Sequence, residues 1–277
     1  MSYKFDKTVP YRTHLEQYRE TWADLAHLRR EDGILEVRFH WNGGPWRWNE
    51  AMHTALVPFC ADISQDPENE CIIITGTGDS FLDEFDAETV LASDTDHSRL
   101  VTYDWWWRAA TRVPGAIIDI PVPVVSAING AVSIHPEIVL LADVVIASEE
   151  TVIIDRHYQE AGVAPTDGIN ILYEKFFGPN LARSALFLGT EISAAQALQF
   201  GVFAEVLPAE QVLERAWEIA RTKIMTASRI HRRMTREALI QPYREAFARS
   251  IRASLAHECY AAQSTPGEIP HGKMLKK

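Results

Sequence analysis

Val122-Pro123-Val124-Val125-Ser126-Ala127-Ile128-Asn129-Gly130 opens the stretch whose reading decides the fold. An apolar, β-branched run closed by Asn-Gly reads as a buried strand ending in a turn. Behind it come His135-Pro136-Glu137, a second apolar run ending at Ala147, then His157 and Asp167. Pro136 suits the first position of a helix, where its missing N–H has no partner to lose. Such a strand-turn-helix step presents side chains and helix N-terminal N–H groups at the carboxyl end of a strand. That is where open α/β sheets place their pockets. Two imidazoles and two carboxylates in one such stretch exceed what packing needs.

Working outward, Cys71 to Thr75 reads as a second buried strand, followed by the loop Gly76-Thr77-Gly78-Asp79. Leu25 to Arg30 and Ile34 to Phe39 form a hairpin around Asp32-Gly33. A short helix is expected over His14 to Trp22. A longer one runs from an Asn49 cap to about Asp66, with Leu56, Phe59, Cys60 and Ile63 inward. Asp83-Glu84-Phe85-Asp86 reads as an acidic surface loop or helix start. Leu100 to Arg112 reads as a helix carrying Trp105, Trp106 and Trp107. Successive helical residues turn by about 100°, so the three rings cannot share a face. Either one lines a pocket or subunit contact, or one is core and two are partly exposed.

After Ala147 the expectation is a strand over Thr151 to Asp155 and a loop from Arg156 to Asp167. Helices follow over Gly168 to Phe177, Leu181 to Leu188 and Ser193 to Phe200, then an edge strand from Phe203 to Leu207. Another helix starts at Ala209, and Gln241-Pro242 starts a last one reaching about Ala262. The organisation is an arm and short helix over 1–24, an α/β core over 25–207, a helical region over 208–262, and a Pro/Gly/Lys-rich tail over 263–277 expected to be disordered.

The chain has 277 residues, 47% hydrophobic and 23% charged, the balance of a globular domain. A net charge of −11 argues against nucleic-acid and anionic-membrane partners. No apolar run is long enough to span a bilayer, and Met1 to Thr13 has no apolar signal segment. Cys60, Cys71 and Cys259 are an odd number in no metal-like spacing, so buried, reduced thiols and a cytoplasmic location are expected.

Several motifs in order resemble the crotonase (enoyl-CoA hydratase/isomerase) superfamily. They are Cys71 to Phe81, Val122 to Gly130, Asp143 to Ala147, Gly162-Val163-Ala164-Pro165 and Ile192 to Pro208, spread over roughly Leu25 to Ala262. The resemblance implies an α/β fold, a spiral of ββα units, with a C-terminal helical trimerisation region and a homotrimer or dimer of trimers. Crotonases hold a thioester oxyanion with two backbone N–H groups, and both places depart here. Leu82-Asp83-Glu84 puts carboxylates after Phe81, and Ser133-Ile134-His135-Pro136 replaces a run of glycines. His157 stands where hydratases carry a catalytic Glu.

That pattern is similar to the β-diketone hydrolase branch, typified by 6-oxocamphor hydrolase. The matches are Ile134-His135-Pro136-Glu137-Ile138, His157, Asp167, Ala256-His257-Glu258 and Trp48. The branch implies hydrolytic cleavage of a C–C bond in a cyclic 1,3-diketone (a retro-Claisen reaction), whose enolate leaving group removes the need for a metal or organic cofactor. Histidine suits both proton transfers, with a carboxylate steering each ring. On the resemblance, His157 with Glu258 activates water, His135 with Asp167 binds the carbonyl oxygen and protonates the enolate, and Trp48 holds a substrate oxygen through its indole N–H.

Blander readings stand beside these. His135 could satisfy backbone carbonyls, His157 could be a surface residue, Asp167 an N-cap, Glu258 a solvated charge and Trp48 core. Glu137 reads as a structural pairing in the first turn of its helix. Asp155 and Glu160 are spare carboxylates nearby. Two other functions compete: an acyl-CoA hydratase or isomerase dependent on Glu137, and a non-catalytic scaffold indifferent to loss of His135 and His157.

Overall fold

The computed structural model describes residues 13–86, 104, 106–108 and 111–264. The N-terminal arm up to residue 12, Trp105, most of the helix expected over 100–112, and the tail from residue 265 lie outside them. Trp106 is half-buried and Trp107 is exposed.

Helix α1 (Leu15–Thr21) leads into a hairpin of β1 (Ala26–Glu31) and β2 (Ile34–Phe39). Its turn residues Asp32 and Gly33 both have positive φ, as an Asp-Gly hairpin turn requires. A two-residue strand β3 (Arg47–Trp48) precedes α2 (Glu50–Gln65), whose Asn49 cap accepts from the Met52 N–H at 2.9 Å. Strands β4 (Cys71–Thr75), β5 (Ser80–Leu82) and β6 (Glu84–Phe85) follow. Instead of an acidic loop or helix start, Glu84–Phe85 pairs in parallel with Arg47–Trp48, where an Arg47–Glu84 ion pair joins the two strands.

Helix α3 (Arg112–Ile118), β7 (Val124–Ile128), β8 (Ala131–Val132), α4 (Glu137–Leu140), β9 (Val144–Ser148) and β10 (Val152–Ile153) complete the region around the deciding stretch. Next come α5 (Ile169–Phe177), α6 (Pro179–Leu188), β11 (Ile192–Ser193) and α7 (Ala194–Gln199), the last closed by a full Ser193–Gln196 capping box. The chain then runs through β12 (Glu205–Leu207) and α8 (Ala209–Ile219) to a 36-residue helix, α9 (Arg229–Ser264). Pro242 does not start a helix; it lies inside α9. The lost hydrogen bond is offset by Ile240, Phe247 and Leu255, all buried from that helix.

Six strands form one sheet in the order β1-β2-β4-β7-β9-β12, parallel except for the β1–β2 hairpin. A second sheet runs β11-β10-β8-β5. Period-two alternation explains why β4 is apolar throughout. Ile72 and Ile74 face the main core, while Cys71 and Ile73 face a smaller cluster built with Val212, Ala216 and Trp217 of α8. At the end of β7, Asn129 donates to the Gly78 and Ser80 carbonyls and accepts from the Gly76 N–H, fixing the loop that the Gly76 motif begins. A Cβ at Gly130 would stand 1.9 Å from the Asp79 carbonyl oxygen, so only glycine fits this approach. No helix among the described residues is long and apolar enough to cross a membrane.

Candidate active site

Leaving β8, the chain enters a strained corner. His135 has φ +48° directly before a proline, a combination that a non-glycine residue adopts only under constraint. Pro136 takes the cap position rather than the first helical one, and α4 lasts only four residues. The corner brings the His135 ring onto its own neighbour: Nδ1 lies 2.6 Å from Glu137 Oε1 and 3.8 Å from Asp167 Oδ2. The nearer carboxylate is therefore Glu137, not Asp167. Burial pushes the Glu137 carboxyl above its ordinary range, against the pull of the His135 ring.

The second imidazole comes from the other sheet. After β10 the expected loop is in fact a π-helical turn over His157–Ala161. Wide turns of this kind recur at functional sites. Asp155, one of the spare carboxylates, accepts from the His157 backbone N–H at 3.2 Å and holds its Nδ1 at 2.8 Å. The expected partner, Glu258, instead accepts a hydrogen bond from the Thr166 hydroxyl. His157 Nε2 is 3.9 Å from Asp167 Oδ2. Burial alone would lower the pKa of His157. Asp155, Glu258 and Asp167 outweigh it and hold the imidazolium well above its ordinary value.

Asp167 is no helix cap: α5 is capped by Gly168 without any side-chain bond, and Asp167 Oδ1 is buried with no partner among the described residues. Gly168 sits at φ +89°, and a Cβ there would stand 2.1 Å from the Phe247 ring. The contact seats α9 beside Asp167, and the same helix supplies Glu258. Burial, with Asp167 adding to it, raises the Glu258 carboxyl well above its usual range.

The two rings meet edge to face, centroids 5.3 Å apart. Trp48 lies over His135 at 3.8 Å, positioned by the β3–β6 pairing. All four ionisable residues named from the sequence, with Trp48, thus converge on one buried place. Two residues went unnamed. His53 is buried on α2, 4.9 Å from Trp48 and 5.8 Å from His135, and burial, reinforced by the charges of the other two histidines, keeps it neutral. Its signal was its place one turn after the Asn49 cap that follows Trp48. Tyr173 of α5 is buried with its hydroxyl unpartnered among the described residues, and burial, Asp155 and Glu137 keep its proton on.

Two backbone positions in the segment that replaces the glycine run cannot hold a thioester oxyanion. The Ser133 N–H bonds the Leu82 carbonyl at 2.9 Å, and Pro136 has none to offer. Asp83, one of the two carboxylates that follow Phe81, is held by the Ser133 hydroxyl and lies 3.6 Å from Arg156 Nη2.

Sheets, spiral order and site define a crotonase-type α/β protein. The enoyl-CoA hydratase/isomerase family profile matches residues 30–265, and the chain belongs to that family. One solved relative is a β-diketone hydrolase from the cyanobacterium Anabaena, bound to (S)-3-oxocyclohexyl acetic acid. It is 35% identical, with a TM-score of 0.83 over 90% of this chain and 97% of that one. A rat mitochondrial enoyl-CoA hydratase domain-containing protein 3 is 28% identical over 76% of this chain and 68% of its own. An enoyl-CoA hydratase/isomerase from Mycobacterium paratuberculosis shares the fold at 21% identity, with a TM-score of 0.75 over 86% of this chain and 94% of that one.

Proposed function

We propose that this protein hydrolyses a C–C bond of a cyclic 1,3-diketone to give a keto acid, by retro-Claisen cleavage without a cofactor. The observation that carries the reading is a pair of imidazoles, each held at Nδ1 by a carboxylate two residues away and each within 4 Å of one shared carboxylate, Asp167, through Nδ1 of His135 and Nε2 of His157. In the proposed cycle His157, once its ring has given up the proton its acidic neighbours favour, takes a proton from water, and the hydroxide adds to one carbonyl carbon. The bond from that carbon to the carbon between the carbonyls then breaks, its electron pair passing into the enolate of the second carbonyl. His135 holds that oxygen and returns a proton to the enolate carbon. Asp167, within 4 Å of both rings, lies on the path that resets their protons. Trp48, stacked on His135, forms a wall against which a ring substrate lies.

Support comes from the engaged Ser133 amide and the proline in the segment that replaces the glycine run, and from the Anabaena relative, whose bound keto acid is the product type this reaction makes. Hydratase or isomerase activity on an acyl-CoA is the second reading, favoured by the names of the curated relatives and by buried Glu137. The discriminating experiment incubates the protein with mono- and bicyclic 1,3-diketones, following loss of enol absorbance and appearance of a carboxylic acid, with a crotonyl thioester in parallel. Turnover of the thioester alone would replace the first reading with the second.

A further inference from the structure

Asp167 reaches both imidazoles through Oδ2, at 3.8 and 3.9 Å, while its other oxygen, Oδ1, is buried and satisfied by no described residue. One ring nitrogen of His135, one of His157 and one oxygen of Asp167 all fall within 4.8 Å of one another. The back of His157 is already arranged as in metal-binding histidines: Asp155 holds Nδ1 at 2.8 Å and Nε2 faces Asp167, so an ion would take the place of the Nε2 proton. We propose that His135, His157 and Asp167 form a binding site for a divalent first-row transition ion, Zn²⁺ or one like it, and that the ion switches the enzyme off.

Two imidazoles and a carboxylate are donors for Zn²⁺, Co²⁺, Ni²⁺ or Cu²⁺, whereas Mg²⁺ and Ca²⁺ call for oxygen alone. Around a tetrahedral Zn²⁺ with bonds of about 2.1 Å, neighbouring ligand atoms stand about 3.4 Å apart. The separations of 3.8 and 3.9 Å to Asp167 close to that value with small side-chain rotations. The His157 ring, on a π turn and less buried than His135, is free to make them. Charge favours the ion as well, since the Asp155 and Asp167 carboxylates are buried beside the two rings. Glu137 Oε1 is bonded to the same His135 Nδ1 at 2.6 Å, so the ion must displace that bond, after which the carboxyl offers an oxygen as fourth ligand.

The inhibitory half rests on the proposed hydrolase reaction; the binding half does not. An ion on both imidazoles occupies the lone pairs that must exchange protons with water and enolate. To test this, the full chain is stripped with a chelator and titrated with ZnCl2 by calorimetry and with CoCl2 by visible absorption. The expected result is one ion per chain, with the intense absorption of a low-symmetry Co²⁺ site. Asp167→Asn and His157→Ala should each abolish it, Asp155→Asn weaken it by roughly 10- to 100-fold, and His231→Ala, at an exposed histidine, leave it intact. Asp167→Asn, nearly the same shape, keeps the test valid if His157→Ala does not fold. Diketone hydrolysis should fall in step with Zn²⁺ occupancy and return with chelator. No stoichiometric binding, or binding that survives Asp167→Asn, would overturn the site. Zn²⁺ that binds and accelerates hydrolysis would overturn the inhibition. Binding by a protein that hydrolyses no diketone with or without metal would sink the proposed function and leave the site standing.

Discussion

Both histidine-bearing segments use the same local device in opposite order. In one the carboxylate follows the ring by two residues, as His135 and Glu137; in the other it precedes it, as Asp155 and His157. The first segment is rigid and strained, with φ +48° at His135 under the Trp48 ring. The second is a π turn whose histidine carries three nearby acids. Residues two apart share a face on a strand but do not face each other on a regular helix. Each pairing is made on irregular backbone, a left-handed residue in one case and a widened turn in the other. The lesson is that irregularity here belongs to the ring orientation itself, and the segments should respond differently when it is disturbed.

The largest effect should come from the π-turn side. His157→Ala and Asp167→Asn should each lower kcat for diketone hydrolysis by about 10² to 10⁴, and unaltered turnover in either would remove the base from the mechanism. Next is Asp155→Asn. With the carboxylate charge gone, the His157 pKa falls, so the alkaline rise in kcat/KM should move to lower pH while kcat drops roughly 10²-fold. A pH profile that keeps its position would show that Asp155 does not steer this ring. On the strained side the comparison turns to stability. His135→Gly should leave the fold more stable than His135→Ala by about 1 kcal/mol, because glycine accepts positive φ without penalty. Chemical denaturation of both, equally inactive, measures the difference.

Smallest is the pH signature of Glu258. Its folded pKa lies above the ordinary 4.5 because the group is buried near Asp167, so the folded state keeps a proton that the unfolded chain releases. Its contribution to stability is thus full below about 4.5 and is lost as pH rises through the folded value. Glu258→Gln stays neutral and should gain on the parent protein as pH rises from 5 towards 8.5. Thermal midpoints that run parallel over that range would contradict the assignment.

Much of this was legible in the sequence because it followed from periodicity and punctuation. The Asp32-Gly33 hairpin, the Asn49 and Ser193 caps, and the buried strands at Cys71 and Val124 are local signals that tertiary packing did not override. Family resemblance brought His135, His157, Asp167, Glu258 and Trp48 into one reading, and the fold does gather them. Their partners were not legible. Pairing them by resemblance assigned Glu258 to His157 and Asp167 to His135, whereas φ at His135 and the π turn let closer neighbours win. His53 was hidden because a histidine on the inner face of a helix reads as core until the chain folds. Pro242 misled because a break in propensity is weaker evidence than a long buried face.

Glu258 and Thr166, joined by a hydrogen bond, are 92 positions apart in the chain. During synthesis both imidazoles and Asp167 therefore leave the ribosome well before the helix that roofs them. If the proposed chemistry holds, a growing chain carries its reactive groups uncovered and idle, and becomes competent only when α9 lies down across them. Shortening that helix by a few turns would yield a protein that folds its sheets yet does nothing.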